Sequence, residues 1–503
     1  MWRPFPVWLT FNRFDMKRLL FVAVLALSCL AVHAKLSVKQ PCSDGMVLQQ
    51  NSNATLWGFA SPGARVSVTT SWNGRSYTAR ADADGIWRTS VQTPAASYRP
   101  YEVRISGDGG NLVIRDVLIG EVWLAGGQSN MEMPLSGYRN APVENYLDVL
   151  TAAPMREKIR IFQLPKLQSE TPARDVVGVW HGADPATRPA MSATAYFFAL
   201  KLNEVLDVPV GVVVCAYGGS RVESWMPGDA LQGYPDVDLS PAGMSAMRPA
   251  LRPTLMDNAM LSPLAGWTVK GFIFYQGCSN VGYEIGTNNP RQEDSYADRL
   301  VKMVEVWRRI WGDGDASLPF YEVEIAPCFY GNEGQNGHAA GLRAAQHEAA
   351  ARIPNAGIVV TNDLALPHEW DNIHPSRKQP VGNRLAGLAL ARQYGYADLP
   401  CESPVALRAY RIADDRAVRV ECTQCEMGLR QIHGIEGLEV CGEDGRFYPV
   451  RDVQFDFQRH ALVISSPDVF RICEVRYGWG DFVPGNLADR SLPFAPFNLS
   501  VEE

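Results

Sequence analysis

The sequence predicts a three-layer α/β/α domain flanked by two small β units, an N-terminal β-sandwich and a C-terminal β region. Two observations carry that expectation. Between about residues 116 and 400, continuous apolar runs alternate with helical patterns, as parallel strands covered by helices on both faces require. On either side of that stretch the apolar residues recur instead with a period of two, between turn residues, as in half-buried antiparallel strands.

Residues 1–34 read as an export signal. Lys17 and Arg18 precede the apolar run Leu19–Val32, and Val32-His33-Ala34 offers small residues where a signal peptidase cuts. The run falls short of the roughly 20 apolar residues that a membrane-spanning helix needs. Cleavage after Ala34 is therefore expected, giving a periplasmic or secreted protein with no stable membrane insertion. The residues before Met16 do not belong to this pattern, and Met16 is read as the start. Cys29 is preceded by Leu27-Ser28, a poor context for lipid attachment.

From Lys35 to Arg115, Val66 and Val68 alternate with polar residues, as do Tyr101, Val103 and Ile105. Pro62-Gly63, Asn73-Gly74 and Asp84-Gly85 supply turns between such segments. Over 116–400 the expected strands are Val117–Ala125, Val210–Cys215, Val269–Tyr275, Phe320–Ile325 and Ile358–Val360. The expected helices are Ala193–Leu206, Tyr296–Trp311, Gly341–Arg352 and Val381–Gln393. In the second helix Tyr296, Leu300, Met303, Val304, Trp307 and Trp311 share one face, which packing on a sheet explains without any ligand. Over 401–503 alternation returns in Val418 and Val420, in Val453, Phe455 and Phe457, and in Leu462 and Ile464, and this region is expected to pack back on the α/β domain.

Composition narrows the function classes. At 503 residues the chain is long for one core, and 46% hydrophobic with 20% charged residues describes a globular protein. A net charge of -7, with no basic run after residue 34, argues against nucleic acid and anionic membranes as partners. Loss of Cys29 with the leader leaves nine of the ten cysteines, an odd number. An oxidising compartment permits disulfides among Cys401, Cys422, Cys425, Cys441 and Cys473. Cys422-x-x-Cys425 has no second close pair and no histidine at ligand spacing, so a structural pair, free or bridged, is expected rather than zinc.

Four segments that follow expected strands carry side chains capable of chemistry, and strand ends are where sites assemble in open α/β sheets. Gly126-Gly127-Gln128-Ser129-Asn130-Met131 places a serine at a tight turn into a helix, where backbone N–H groups point at its oxygen; a plain N-cap serine is the alternative. Tyr217-Gly218-Gly219-Ser220 can leave a backbone N–H open to a substrate oxygen, as it can mark any sharp turn. In Tyr275-Gln276-Gly277-Cys278-Ser279-Asn280 the Asn280 amide can donate to a developing oxyanion. Asp371-Asn372-Ile373-His374-Pro375 sets a histidine, which as a base needs a pKa near neutrality and an orienting hydrogen bond, three residues after a carboxylate that could orient it, with His368 and Asp363 as competitors.

Taken together, these segments resemble the SGNH hydrolases, and within them the sialate O-acetylesterases and related carbohydrate esterases. The resemblance runs through Gly45-Met46-Val47-Leu48-Gln49, Gly120-Glu121-Val122-Trp123, Gly127-Gln128-Ser129-Asn130-Met131, Gly218-Gly219-Ser220 with Trp225, Tyr275-Gln276-Gly277 with Ser279-Asn280, Asp371-x-x-His374-Pro375 and Val475-Arg476-Tyr477-Gly478-Trp479. It implies Ser129 as nucleophile, His374 as base and Asp371 as orienter. It also implies an oxyanion hole of the Ser129 N–H, Gly218 and the Asn280 side chain, and a reaction that needs no metal or cofactor. Cys278 stands where many relatives carry glutamate. A thiol there could attack an ester, but Ser129 has the better setting.

The substrate expected is an O-acetylated sugar, with sialic acid first. Its carboxylate calls for a cation, and Arg221 and Arg377 are the candidates, while Trp225 could face a sugar ring. Each also has a plainer reading, as a solvated charge or a core tryptophan. An acetyl-xylan or other polysaccharide esterase would share the machinery. A non-catalytic carbohydrate-binding surface protein is the alternative of another class, and the complete Ser129, Asn280 and His374 set argues against it.

Overall fold

The computed structural model describes residues 35–282, 293–314, 316–330, 337–412, 417–490 and 492–503, so the expected export signal, Met16 and Cys29 lie outside the described residues. At the centre is a parallel sheet of β1 (Gly110–Gly127), β2 (Met155–Gln163), β3 (Val210–Ala216), β4 (Gly271–Tyr275), β5 (Phe320–Val323) and β6 (Ala356–Val359), in the order β2-β3-β1-β4-β5-β6. Alternate residues of one strand feed two different cores. Val122 and Leu124 of β1 join one, and Trp123 and Ala125 join the other. That is why these strands read as continuous apolar runs: both faces are covered.

The short helix α1 (Ser129–Glu132) follows β1, and four long helices cover the faces. α2 (Ala193–Leu206) and α5 (Lys378–Gln393) supply Phe197, Phe198, Leu202, Leu385 and Leu388 to one core. α3 (Glu293–Trp311) and α4 (His338–Arg352) supply Leu300, Trp307 and Leu342 to the other. Expected and observed helices agree to within a turn. Strand β2 was not expected from the sequence, because its first half, Met155-Arg156-Glu157-Lys158, is mostly exposed and polar.

The N-terminal region is a sandwich, but its second sheet is not separate. A three-stranded sheet of Ser37–Val38, Asn53–Phe59 and Ile86–Gln92 lies beside strands that pair, through Ser97–Gly107, onto the first half of β1. The boundary expected at Arg115/Asp116 therefore falls inside one strand. A bulge marks it: Tyr101 faces Val117 while Val103 faces Ile114, and Asp116 takes a left-handed φ of 56°. Arg160 from β2 holds the bulge through the Asp116 carboxylate at 2.9 Å and the Gly45 carbonyl at 2.9 Å. The core on this side runs from Trp57 and Val66 through to Trp307 without a break.

The C-terminal region forms an eight-stranded sheet with its own core, including Val418, Val420, Leu462 and Tyr477. It packs back on the α/β domain, with Asn362 Nδ2 donating to the Phe494 carbonyl at 2.8 Å and the Cys328 N–H to the Asp481 carbonyl at 3.0 Å. All nine cysteines from Cys42 onward are free thiols, so no disulfide joins Cys401, Cys422, Cys425, Cys441 or Cys473. Cys422 Sγ donates to the Val420 carbonyl at 3.3 Å and Cys425 Sγ to the His460 carbonyl at 3.9 Å, and the neighbouring Cys425 together with burial pushes the Cys422 thiol far above its ordinary value.

Candidate active site

Parallel pairing brings three of the four segments to one edge. Gly127 at the end of β1 lies opposite Ala216 of β3 and Tyr275 of β4, so the chain leaves all three strands side by side. Gly127 has a φ of 136°, and a Cβ there would stand 2.3 Å from the Tyr275 carbonyl oxygen, so the turn requires glycine. It delivers Ser129, half-buried, as the first residue of α1. Buried Gln128 ties the first segment to the third, its Oε1 accepting the Gly277 N–H at 3.0 Å and Gln276 Nε2 at 3.3 Å. Gly218 sits against the serine: a Cβ at 218 would be 3.4 Å from Ser129 Cβ.

The fourth segment joins them through Asn130. Its Nδ2 donates to the Ile373 carbonyl at 2.9 Å, and its Oδ1 accepts Lys378 Nζ at 2.9 Å. Lys378 also donates to the Pro375 carbonyl at 2.6 Å. The neighbours of Ser129 and His374 are thus bonded directly. Tyr138 closes the same corner, its hydroxyl donating to the Ser129 carbonyl at 3.2 Å and its ring meeting the imidazole edge to face at 5.0 Å. His374 Nε2 is buried and has no hydrogen-bond partner among the described residues. Burial, with the Lys378 charge second, pushes the His374 pKa down to about 4, which keeps the ring in its proton-accepting form.

Asp371 is not brought to that ring. It is exposed and makes no hydrogen bond or ion pair with His374 among the described residues. The reason is local: Asn372 Oδ1 accepts the His374 N–H at 3.0 Å, forming a side-chain turn that a helical i, i+3 approach would exclude. The competitors fare no better. Asp363 is bound by Arg384 at 2.6 and 2.8 Å, and His368 is exposed.

Asn280 is buried with its amide orientation fixed. Oδ1 accepts the Val222 N–H at 3.1 Å and Gln276 Nε2 at 2.8 Å, while Nδ2 donates to Glu223 Oε2 at 3.1 Å. Nδ2 also lies 3.5 Å from Glu223 Oε1, and where one N–H serves both carboxylate oxygens the other can serve a further acceptor. Glu223 is in turn paired with buried Arg299. The Gly218 N–H, expected as an oxyanion donor, is here engaged by Glu132 Oε2 at 2.6 Å, and the other Glu132 oxygen pairs with Lys166 at 2.7 Å.

The expected sugar contacts divide. Arg221 is 6% exposed and donates through Nε to the Ser279 carbonyl at 3.0 Å, so it supports the third segment. Trp225 is fully buried, with Nε1 on Ser220 Oγ at 3.0 Å and its carbonyl holding Trp307 Nε1 at 3.0 Å, which leaves no face for a sugar. Arg377 is half-buried and lies 3.4 Å from Glu144. Cys278 is buried beneath the site with the Tyr330 hydroxyl 3.3 Å from Sγ; burial raises its pKa and disfavours the nucleophilic thiolate. Lys378, Tyr138, Glu132, Glu223 and Arg299 were not singled out from sequence. Glu132, one helical turn after Ser129, had a spacing that could have found it; the others come from distant segments.

Residues 119–394 match the family described as carbohydrate esterase, sialic acid-specific acetylesterase. Mouse sialate O-acetylesterase is 28% identical over 493 residues, covering 86% of this chain and 87% of the mouse protein. The human sialate O-acetylesterase is 29% identical over 398 residues, 72% of each chain. The crystal structure of a carbohydrate acetylesterase from Xanthomonas citri superposes with a TM-score of 0.79 at 33% identity, covering 92% of this chain and 99% of that one.

Proposed function

The chain belongs to the carbohydrate esterase family of sialic acid-specific acetylesterases, and on that footing we propose that it hydrolyses O-acetyl esters of sialic acid through an acetyl-enzyme on Ser129. The observation that carries the reading is the bonding of Asn130 to both Ile373 and Lys378, which fixes the serine turn against the histidine loop. His374 accepts the Ser129 proton through the unpartnered Nε2, and Ser129 Oγ attacks the acetyl carbonyl. Asn280 Nδ2 and the backbone around Ser129 hold the oxyanion. Gly218 adds its N–H once the substrate oxygen replaces the Glu132 carboxylate. His374 then returns the proton to the sugar hydroxyl, and water, deprotonated by the same imidazole, releases acetate. A positioned base is worth about 10²–10⁴ in rate and one oxyanion donor about 10²–10³.

Asp371 has no part in this arrangement as it stands, so His374 is oriented by packing against Tyr138 and by the Asn372 turn. The pattern of Lys17, Arg18 and Leu19–Val32 supports export to the periplasm or beyond. Among the described residues no helix is long and apolar enough to cross a membrane.

The test is a substrate panel with the full chain and two variants. Ser129→Ala should lose at least about a hundredfold in turnover without unfolding, and Cys278→Ala should keep most activity. A folded Ser129→Ala protein retaining more than about a tenth of wild-type turnover ends the proposal. Preference for O-acetylated sialic acid over acetyl-xylan supports the substrate; the reverse preference keeps the chemistry and changes the sugar.

A further inference from the structure

Lys378 is 1% exposed, and no proton or acyl transfer above runs through it. It opens α5, and Nζ spends two of its hydrogens on Asn130 Oδ1 and the Pro375 carbonyl. Each acceptor belongs to the residue that follows a reacting group. An ammonium taken out of water is costly unless it is paired, yet among the described residues Lys378 forms no ion pair, and Glu369 acts on it only through space. A position this unfavourable for a cation, at the junction of nucleophile and base, calls for a function.

We propose that Lys378 is the positioning residue of the Ser129–His374 pair: it fastens the nucleophile turn to the base loop and sets a positive charge beside the imidazole. The inference rests on the reading of Ser129 and His374 given above. It gives a buried cation, bonded to the residues that follow Ser129 and His374, the electrostatic influence on the ring that was expected of the exposed Asp371. The two would act in opposite senses. A carboxylate on His374 raises the pKa of the ring, whereas an ammonium lowers it.

The groups facing this corner are few. Tyr138 lies on the imidazole, with Glu132 of α1 acting on its hydroxyl. Cys278 and Glu369 face Lys378, Tyr330 bonds to Cys278, and Asp371 and Arg377 belong to the His374 segment, the latter beside Glu144. After burial, Lys378 is the charge that depresses the imidazole, to about 4. Burial brings Lys378 itself down to about 7, opposed by Glu369 and Cys278. It is therefore an ammonium throughout the range where His374 titrates. Above that range a neutral amine still has two N–H donors for its two acceptors, so the fastening outlasts the charge.

The experiment compares Lys378→Gln, Lys378→Met and Lys378→Arg in the full chain, reading kcat/KM against pH on O-acetylated sialic acid. Both neutral variants should move the acid limb upward by about one pH unit, and Lys378→Arg should leave its midpoint in place. Above pH 6, a range set by ordinary histidine titration, both variants should lose activity, Lys378→Met about tenfold more than Lys378→Gln, because glutamine keeps N–H donors for Asn130 and Pro375. Uniform loss at every pH with an unmoved midpoint overturns the proposal, because a merely structural lysine would do that. If neither neutral variant folds, NMR of the wild-type protein decides, with the His374 signal identified by its absence from His374→Gln. Two steps, near pH 4 and near pH 7, support the coupling; a single step overturns it. A fully active Ser129→Ala protein would instead remove the underlying reading, so the two failures are told apart.

Discussion

Replacing Asn280 tests the oxyanion hole at the point where its geometry is best defined. The amide oxygen accepts the Val222 N–H at 3.1 Å and Gln276 Nε2 at 2.8 Å, and Nδ2 meets the Glu223 carboxylate at 3.1 and 3.5 Å, which makes Nδ2 the donor this side chain can offer an oxyanion. Asn280→Ala removes that donor. Turnover should fall by about 10²–10³, or about 2.7–4 kcal/mol, with little change in KM because the interaction strengthens as the oxyanion forms. The same variant leaves the Val222 N–H short of a partner, at about 1–3 kcal/mol, while Gln276 Nε2 keeps Gln128 Oε1 and the Ser220 carbonyl as acceptors. Glu223 suffers least, since Arg299 still pairs with it. Asn280→Asp separates the effects. It keeps the acceptor for Val222 and Gln276 but loses the N–H and faces Glu223 with a second carboxylate. Turnover should fall as far as in the alanine variant. Steady-state kinetics on O-acetylated sialic acid and a small acetyl ester, with urea unfolding alongside, give both readings. A folded Asn280→Ala enzyme within about threefold of wild-type kcat would refute the assignment.

Four further outcomes follow from the same geometry. Because His374 must be neutral to accept a proton and its pKa is lowered from 6.5 to about 4, kcat/KM should rise through about pH 4 and then level off; a midpoint near 6.5 counts against it. The unfolded chain takes up this proton from about pH 6.5 downward and the folded chain only near 4, so the stability owed to His374 is complete above about 6.5 and lost as pH falls towards about 4, a slope that His374→Gln should abolish in pH-dependent unfolding. Asp371→Asn, at an exposed carboxylate, should cost less than about threefold in kcat while His374→Ala costs about a hundredfold or more, and equal losses would restore the aspartate as orienter. Arg221→Gln should lower kcat/KM about tenfold on O-acetylated sialic acid and on a neutral acetyl ester alike, since it removes the hold on Ser279; a loss confined to the anionic substrate would make Arg221 a reader of charge.

Much of this protein is legible in its residue order, because the signals are local. Strands covered on both faces have to be apolar throughout, and Val210–Ala216 and Gly271–Tyr275 are. A helix against a sheet must repeat its apolar residues on one face, as Tyr296, Leu300, Val304 and Trp307 do. A turn that clears the Tyr275 carbonyl has to be glycine, and Gly127 is. Ser129, Asn280 and His374 are candidates on weaker terms: each stands in a segment after an expected strand, any one of them has a plainer reading, and their roles come from the resemblance of the segments taken together. Tertiary structure decided what no short window contains. That β1 runs unbroken across the expected Arg115/Asp116 boundary depends on pairing with Ser97–Gly107 on one half and with β3 and β4 on the other. That Trp225 is core, Arg221 a brace and Lys378 a buried cation depends on partners 5 to 248 residues away, at Ser220, Ser279 and Asn130. Sequence spacing fixes what a side chain can reach within a turn or two; whether it meets water, a carbonyl or a charge is set by segments that only the folded chain brings together.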